Sequence, residues 1–241
     1  LMERLQLHFR QQAAAEGEEL EPPVLILKRQ FRMRREICAF PSKQFYGNQL
    51  ETGPGVGLNP RIPLYPFTLF GVTGAQEFQP GGRGGGHSFA NSQEASFIVT
   101  LSSAVHQTCT LPFSMAIITF YRGQKEEILK QFRLAGREDL LPLIDIDTVD
   151  AFQGQERDIV ILSCVRANDP ILASTTIGFV RSEQRMNVAL TRPKSALFVC
   201  MDIDRFQGTA NWGDLIASSQ DRLIKVSSNS TAAALTEFIV E

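Results

Sequence analysis

The chain has 241 residues, 43% apolar and 21% charged, enough apolar material for one large core or two small ones. Its formal net charge of −2 excludes capture of a polyanion by bulk charge and leaves only a local basic groove for that purpose. The four cysteines, Cys38, Cys109, Cys164 and Cys200, form no C-x-x-C pair, which argues against a disulfide frame or a metal site, and no apolar run reaches the roughly 18 residues of a membrane span.

Residues 1–15 carry apolar side chains at helical spacing and read as an amphipathic helix. Residues 17–23 are acidic and end in Pro-Pro, so 1–23 is expected as a helix and linker leading in from a preceding domain. Residues 24–27 read as a short buried strand, with Gln30-Phe31-Arg32-Met33 directly off its end, and 34–46 as a helix interrupted or ended near Pro41. A Pro/Gly-rich loop fills 53–66, and 66–72 is a strand. Residues 81–86 are nearly all glycine. They lack the lysine of a phosphate-cradling GxxxxGK[ST] loop and read as a hairpin tip.

A helix over 91–106, a strand over 114–120 and a helix over 123–134 follow. Two β-branched runs, 140–146 and 158–165, then flank a polar loop. Beyond a loop over 169–178 come a helix (182–191), a strand (195–201), two short helices (203–206 and 212–219) and a strand (222–226). The last segment, 227–241, is expected as a polar, weakly helical tail. Apolar strands alternating with helices imply an α/β domain over 24–226, with about six strands in a mainly parallel sheet flanked by helices. The cysteines are expected as reduced, mostly buried thiols of an intracellular protein of cytoplasm or nucleus, with no membrane partner and no bound metal.

The chemistry concentrates in the polar loop Thr148-Val-Asp-Ala-Phe-Gln-Gly-Gln-Glu-Arg157. Such a loop at the mouth of a parallel sheet is where α/β proteins place ligands. Gly154 lets backbone approach a ligand closely, and Asp150, Gln153, Glu156 and Arg157 are dense for a plain connection. Three further segments place polar side chains at strand ends: 30–33, 119–125 and 185–192. Two of them carry Arg32 and Arg192. A pair of guanidiniums aimed at one point suits a phosphate, being planar, always charged and bidentate. In phosphoryl transfer such a group is worth roughly 10³–10⁵ in rate. The competing reading is a solvated turn and two surface ion pairs.

The segments QFRM with FPSKQFY, ITFYRGQK, TVDAFQGQERDIVILSCVRAN and RMNVALTRPKSALFV, in this order, resemble the C-terminal RecA-like domain of superfamily 1 RNA/DNA helicases. The type is that of the RNA-surveillance helicase of nonsense-mediated decay. The resemblance spans residues 1–226 and implies a three-layer, P-loop-NTPase-type fold without a Walker A loop of its own. It implies ATP with Mg²⁺ in a cleft between this domain and an N-terminal RecA-like P-loop domain in the same longer chain, with single-stranded RNA or DNA across the top. By motif position Phe31 would stack on adenine, Arg32 and Arg192 would touch the γ-phosphate, and Glu156 would meet the sugar and phosphate. Gln153 and Gly154 would complete the nucleotide set. Thr119, Thr148, Arg166 and Asn168 would face or couple to the nucleic acid.

Three positions depart from the family pattern: Arg34-Arg35 replace His-Pro, Phe120 replaces a proline, and Pro193 follows Arg192. Lys28, Arg29, Arg34 and Arg35 make a basic cluster, read as a solvated helix start. No GxxxxGK[ST] occurs, so ATP hydrolysis is expected only with a P-loop domain, which would also hold most of the metal. The alternative is a non-catalytic RecA-like module that binds nucleic acid or protein. It expects Arg32 and Arg192 in solvent or paired with carboxylates of their own domain.

Overall fold

The computed structural model describes residues 27–241 except 58, 75, 81–87, 168–176 and 228, together with 4, 5, 7–9 and 11. The elements in chain order begin with β1 (Arg29–Gln30), α1 (Arg35–Phe45), β2 (Glu51–Thr52), β3 (Phe67–Thr73), α2 (Ser92–Thr108) and β4 (Met115–Thr119). Next come α3 (Arg122–Leu134), β5 (Ile144–Thr148), β6 (Arg157–Ser163), α4 (Glu183–Leu190) and β7 (Pro193–Met201). The chain closes with α5 (Ile203–Phe206), α6 (Ala210–Ser218), β8 (Leu223–Ser227) and α7 (Ala232–Ile239).

Strands β3 to β8 form one sheet in the order β5-β4-β6-β7-β3-β8, and every neighbouring pair is parallel. Because side chains alternate across a strand, each central strand feeds two cores. Ile159 and Ile161 of β6 join Phe97, Ile98 and Leu101 of α2, Phe132 of α3 and Leu235 of α7 on one face. Val160 and Leu162 join Ile37 of α1, Met186 of α4 and Trp212 and Leu215 of α6 on the other. The result is the expected three-layer α/β arrangement with a helical layer on each side. The central strands are fully covered and hence continuously apolar, whereas the edge strand β5 keeps Asp145 and Asp147.

Three expectations are corrected. Of the strand expected over 24–27, only Leu27 is described, and it is 87% exposed and outside any strand. The strand at this point is β1, which pairs with β2 in a separate two-stranded ladder and carries Phe31 and Arg32 on a turn beside the main sheet. Residues 140–143 belong to a 3-10 turn, Glu138–Leu143, with Pro142 inside it, and the strand starts only at Ile144. Pro41 sits within α1 without ending it.

The expected tail is α7. Thr231 caps it, Leu235 and Ile239 are fully buried, and its exit pairs with the chain around Leu64. Tyr65 N donates to Ile239 O (2.8 Å) and Glu241 N to Pro63 O (3.1 Å). Glu241 also accepts two bonds from Arg34, at 3.0 and 3.1 Å, so this arginine is buried rather than part of a solvated helix start. The four cysteines are free and buried. No described helix is long and apolar enough to cross a membrane.

Candidate nucleotide site and carboxyl edge

The polar loop leaves the carboxyl end of β5 and returns to the amino end of β6, since both strands run parallel to β4. It crosses one face of the sheet, held there by buried Val149 and Phe152. Its two halves therefore lie at opposite sheet edges, which corrects the expectation of a single mouth. Thr148 stands at the carboxyl edge. Glu156 stands at the amino edge, where Arg157 N donates to Arg192 O (3.1 Å) and pairs in register with Pro193.

The amino edge gathers residues distant in sequence. Gln30 shapes the first contributor: its Oε1 accepts from the backbone N of Arg32 (2.8 Å) and Met33 (2.7 Å). Its Nε2 donates to Met33 O (2.8 Å) and Thr52 Oγ1 (2.7 Å). This turn leaves Phe31 65% exposed. The Phe31 ring rests against Gly53, where an added Cβ would lie 2.3 Å from the ring, so only glycine admits it there. Arg32 next door binds Glu156 through Nε and donates from Nη1 to Thr191 O (3.0 Å).

Arg192 lies between α4 and β7. It donates from Nε to Val188 O (2.9 Å), from Nη1 to Gln155 O (3.0 Å) and from Nη2 to Thr191 Oγ1 (3.0 Å). Burial, and then the charge of Arg32, push its pKa down from the usual guanidinium range. Lys194 Nζ meets the free oxygen of Glu156 at 3.1 Å. Arg32 first and Lys194 second hold the Glu156 carboxyl below the ordinary carboxylate range. Arg32, Glu156 and Arg192 thus share one rim, with Phe31 beside Arg32. Arg32 is at the same time paired within its own domain, as the non-catalytic reading expects.

Gly154 adopts φ +85°, the left-handed region, at the tip of the turn. Gln153 lines a cleft with Asp150, Ser182, Arg185 and Val188. It is Gln155 whose carbonyl touches Arg192. Gln155, Lys194 and Gln30 are the residues of this candidate site that sequence reasoning missed. All three lie within the motif segments, yet spacing alone does not say which side chain turns inward.

At the carboxyl edge, two of the residues expected to face or couple to the nucleic acid are buried. Thr119 is fully buried and accepts from Tyr121 N (3.4 Å), so its side chain offers no surface. Arg166 is 2% exposed, with its fork on Glu77 at 2.6 and 2.9 Å and its guanidinium 4.2 Å over the Phe89 ring. An unpaired buried carboxylate is costly, and Glu77 claims the arginine that the motif position would have turned outward. Thr148 is half-buried and pairs in register with Thr119, while Asn168 lies outside the described residues. Behind this edge sits a polar knot. Asn91 caps α2, Gln124 bonds Asn91 and Ser163, and the fully buried Glu94 accepts from Ser163 Oγ and Val165 N. Burial raises the Glu94 carboxyl to about 8, against the lowering effect of those bonds.

The fold is a three-layer α/β domain with a parallel sheet, and cationic forks gather at the amino edge of that sheet. The family model AAA_12, described as an AAA domain, matches residues 1–204, and the chain belongs to that family and to the superfamily 1 helicases typified by Sen1 and the regulator of nonsense transcripts 1. "Probable helicase MAGATAMA 3" of Arabidopsis thaliana is 35% identical over 220 residues, 85% of this chain and 26% of that protein. "Helicase SEN1" of Saccharomyces cerevisiae is 33% identical over 207 residues, 82% of this chain and 9% of that protein. The chain therefore spans about a quarter or less of these relatives. The C-terminal domain of a Lactobacillus protein described as a possible DNA helicase overlays with TM-score 0.41 at 13% identity, covering 71% of this chain and 86% of that one.

Proposed function

We propose that this chain is the C-terminal motor half of an ATP-dependent helicase acting on single-stranded RNA or DNA. The observation that carries the reading is the convergence of Arg32 and Arg192, from opposite ends of the sequence, on one rim with Glu156. Phe31, exposed and seated on Gly53, fits the face of an adenine. The two guanidiniums fit the γ-phosphate and act by stabilising charge that builds there during transfer. Glu156 fits the sugar hydroxyls as an acceptor.

The same residues do not fit Mg²⁺. The one carboxylate of the cluster is already held by two cations, and no group of three or more His, Cys, Asp or Glu among the described residues could hold a metal. The metal and the β-phosphate cradle would come from an N-terminal RecA-like domain with a GxxxxGK[ST] loop in the same longer chain. The carboxyl edge, with Thr148 at its rim, is the proposed strand side. Buried Thr119 and Arg166 serve there as framework rather than contacts.

The test joins a P-loop RecA domain ahead of residue 1. Turnover stimulated by nucleic acid is expected in the joined protein, and Arg192→Ala should lower it by roughly 10³-fold with strand binding kept. Full turnover in that variant rules the assignment out. Strand binding with no turnover in any joined protein would favour the non-catalytic module, for which the Arg32–Glu156 pair already speaks.

A further inference from the structure

Glu156 is held by one cation more than the proposed nucleotide role needs. Arg32 occupies Oε2 and Lys194 occupies Oε1. Arg32 already gives Nε to Glu156 and Nη1 to Thr191 O, so a phosphate that takes the Nε edge must displace the carboxylate. If Arg32 left, a lone carboxylate would face a triphosphate of the same sign. Arg192 makes no ion pair with that carboxylate: its nitrogens donate to Val188 O, Gln155 O and Thr191 Oγ1, which leaves two N–H groups for a phosphate.

Lys194 is placed to neutralise that carboxylate. Its carbonyl accepts from Arg34 N (2.9 Å), two residues after Arg32, and it follows Pro193, which is in register with Arg157 beside Glu156. Among the described residues its one ion pair is with Glu156. We propose that Lys194 is a positioning residue of the nucleotide site, which retains the Glu156 carboxylate when Arg32 turns to the phosphates and so sets how readily Arg32 is released. The inference rests on the nucleotide reading of this rim. It assigns Lys194 no contact with the phosphates.

The test is calorimetric binding of inorganic tripolyphosphate to the chain at low salt, in wild type, Lys194→Met, Glu156→Gln and the double variant. Lys194→Met should weaken binding about two- to fivefold, the range of a partly exposed ion pair. That loss should vanish in the Glu156→Gln background, because the lysine works only through the carboxylate. Lys194→Arg should restore binding. In ¹⁵N spectra, the Arg32 Nε signal should move at lower tripolyphosphate concentration in wild type than in Lys194→Met. An unaltered affinity in Lys194→Met, or an equal loss in both backgrounds, overturns the proposal while leaving the nucleotide reading standing. Binding in wild type that does not change in Arg32→Ala overturns the nucleotide reading itself.

Discussion

Glu94 is where a single residue most strongly ties this fold to solution conditions. Its carboxyl is fully buried and raised to about 8 from an ordinary value of 4.5. The folded chain therefore holds a proton that the unfolded chain releases above its lower pKa. This group's contribution is complete below about pH 4.5 and is lost as pH rises towards 8, at up to about 1.4 kcal/mol per pH unit. Glu94→Gln should flatten that slope, as denaturant melts at a series of pH values would report. An unchanged slope would place the titrating group elsewhere. The motif residues themselves were legible in the sequence because each of Arg32, Glu156 and Arg192 sits in a segment of fixed spacing. The burial of Thr119 and Arg166 was not legible, because burial depends on partners that no local pattern reveals. Glu77, the acid that captures Arg166, lies 89 positions away from it.

Among the elements, α7 departs most from its sequence reading. It is only eight residues long, behind the polar stretch 227–231, and Leu235 and Ile239 alone form its core-facing stripe, too short to read as a core helix. Tertiary contact supplies what propensity does not: Leu235 and Ile239 fill the face formed with α2. Leu235→Ala should therefore cost roughly 2–5 kcal/mol, measured by chemical denaturation. A loss below about 0.5 kcal/mol, the range of surface substitutions, would show that the segment is dispensable. The strands β4, β6 and β7 were readable because burial on both faces makes them continuous apolar runs. Residues 140–143 of the 3-10 turn were read as strand because their leucines carry the same apolar signal, although Pro142 cannot donate to a ladder.

For the molecule as a whole, strand alternation announced a parallel α/β sheet, but which motif lies at which edge follows from crossover directions that the sequence does not encode locally. The sheet also grades its own stability. Central β6 and β7 are covered on both faces, whereas β1 and β2 make a two-residue ladder outside the sheet. Amide hydrogen exchange should be slowest in β6 and β7 and fastest in β1 and β2. Equal protection in the short ladder would mean that the turn bearing Phe31 and Arg32 is locked by contacts beyond Gln30.

The crossover of residues 149–156 works as a lever with its fulcrum in the core. Phe152 is anchored among buried side chains, one arm ends in the carboxylate clamped by Arg32 and Lys194, and the other ends at the rim of β5. With no helix between the arms to take up slack, a ligand that pries the first arm loose strains the same short backbone that fixes Thr148 on the far side of the sheet.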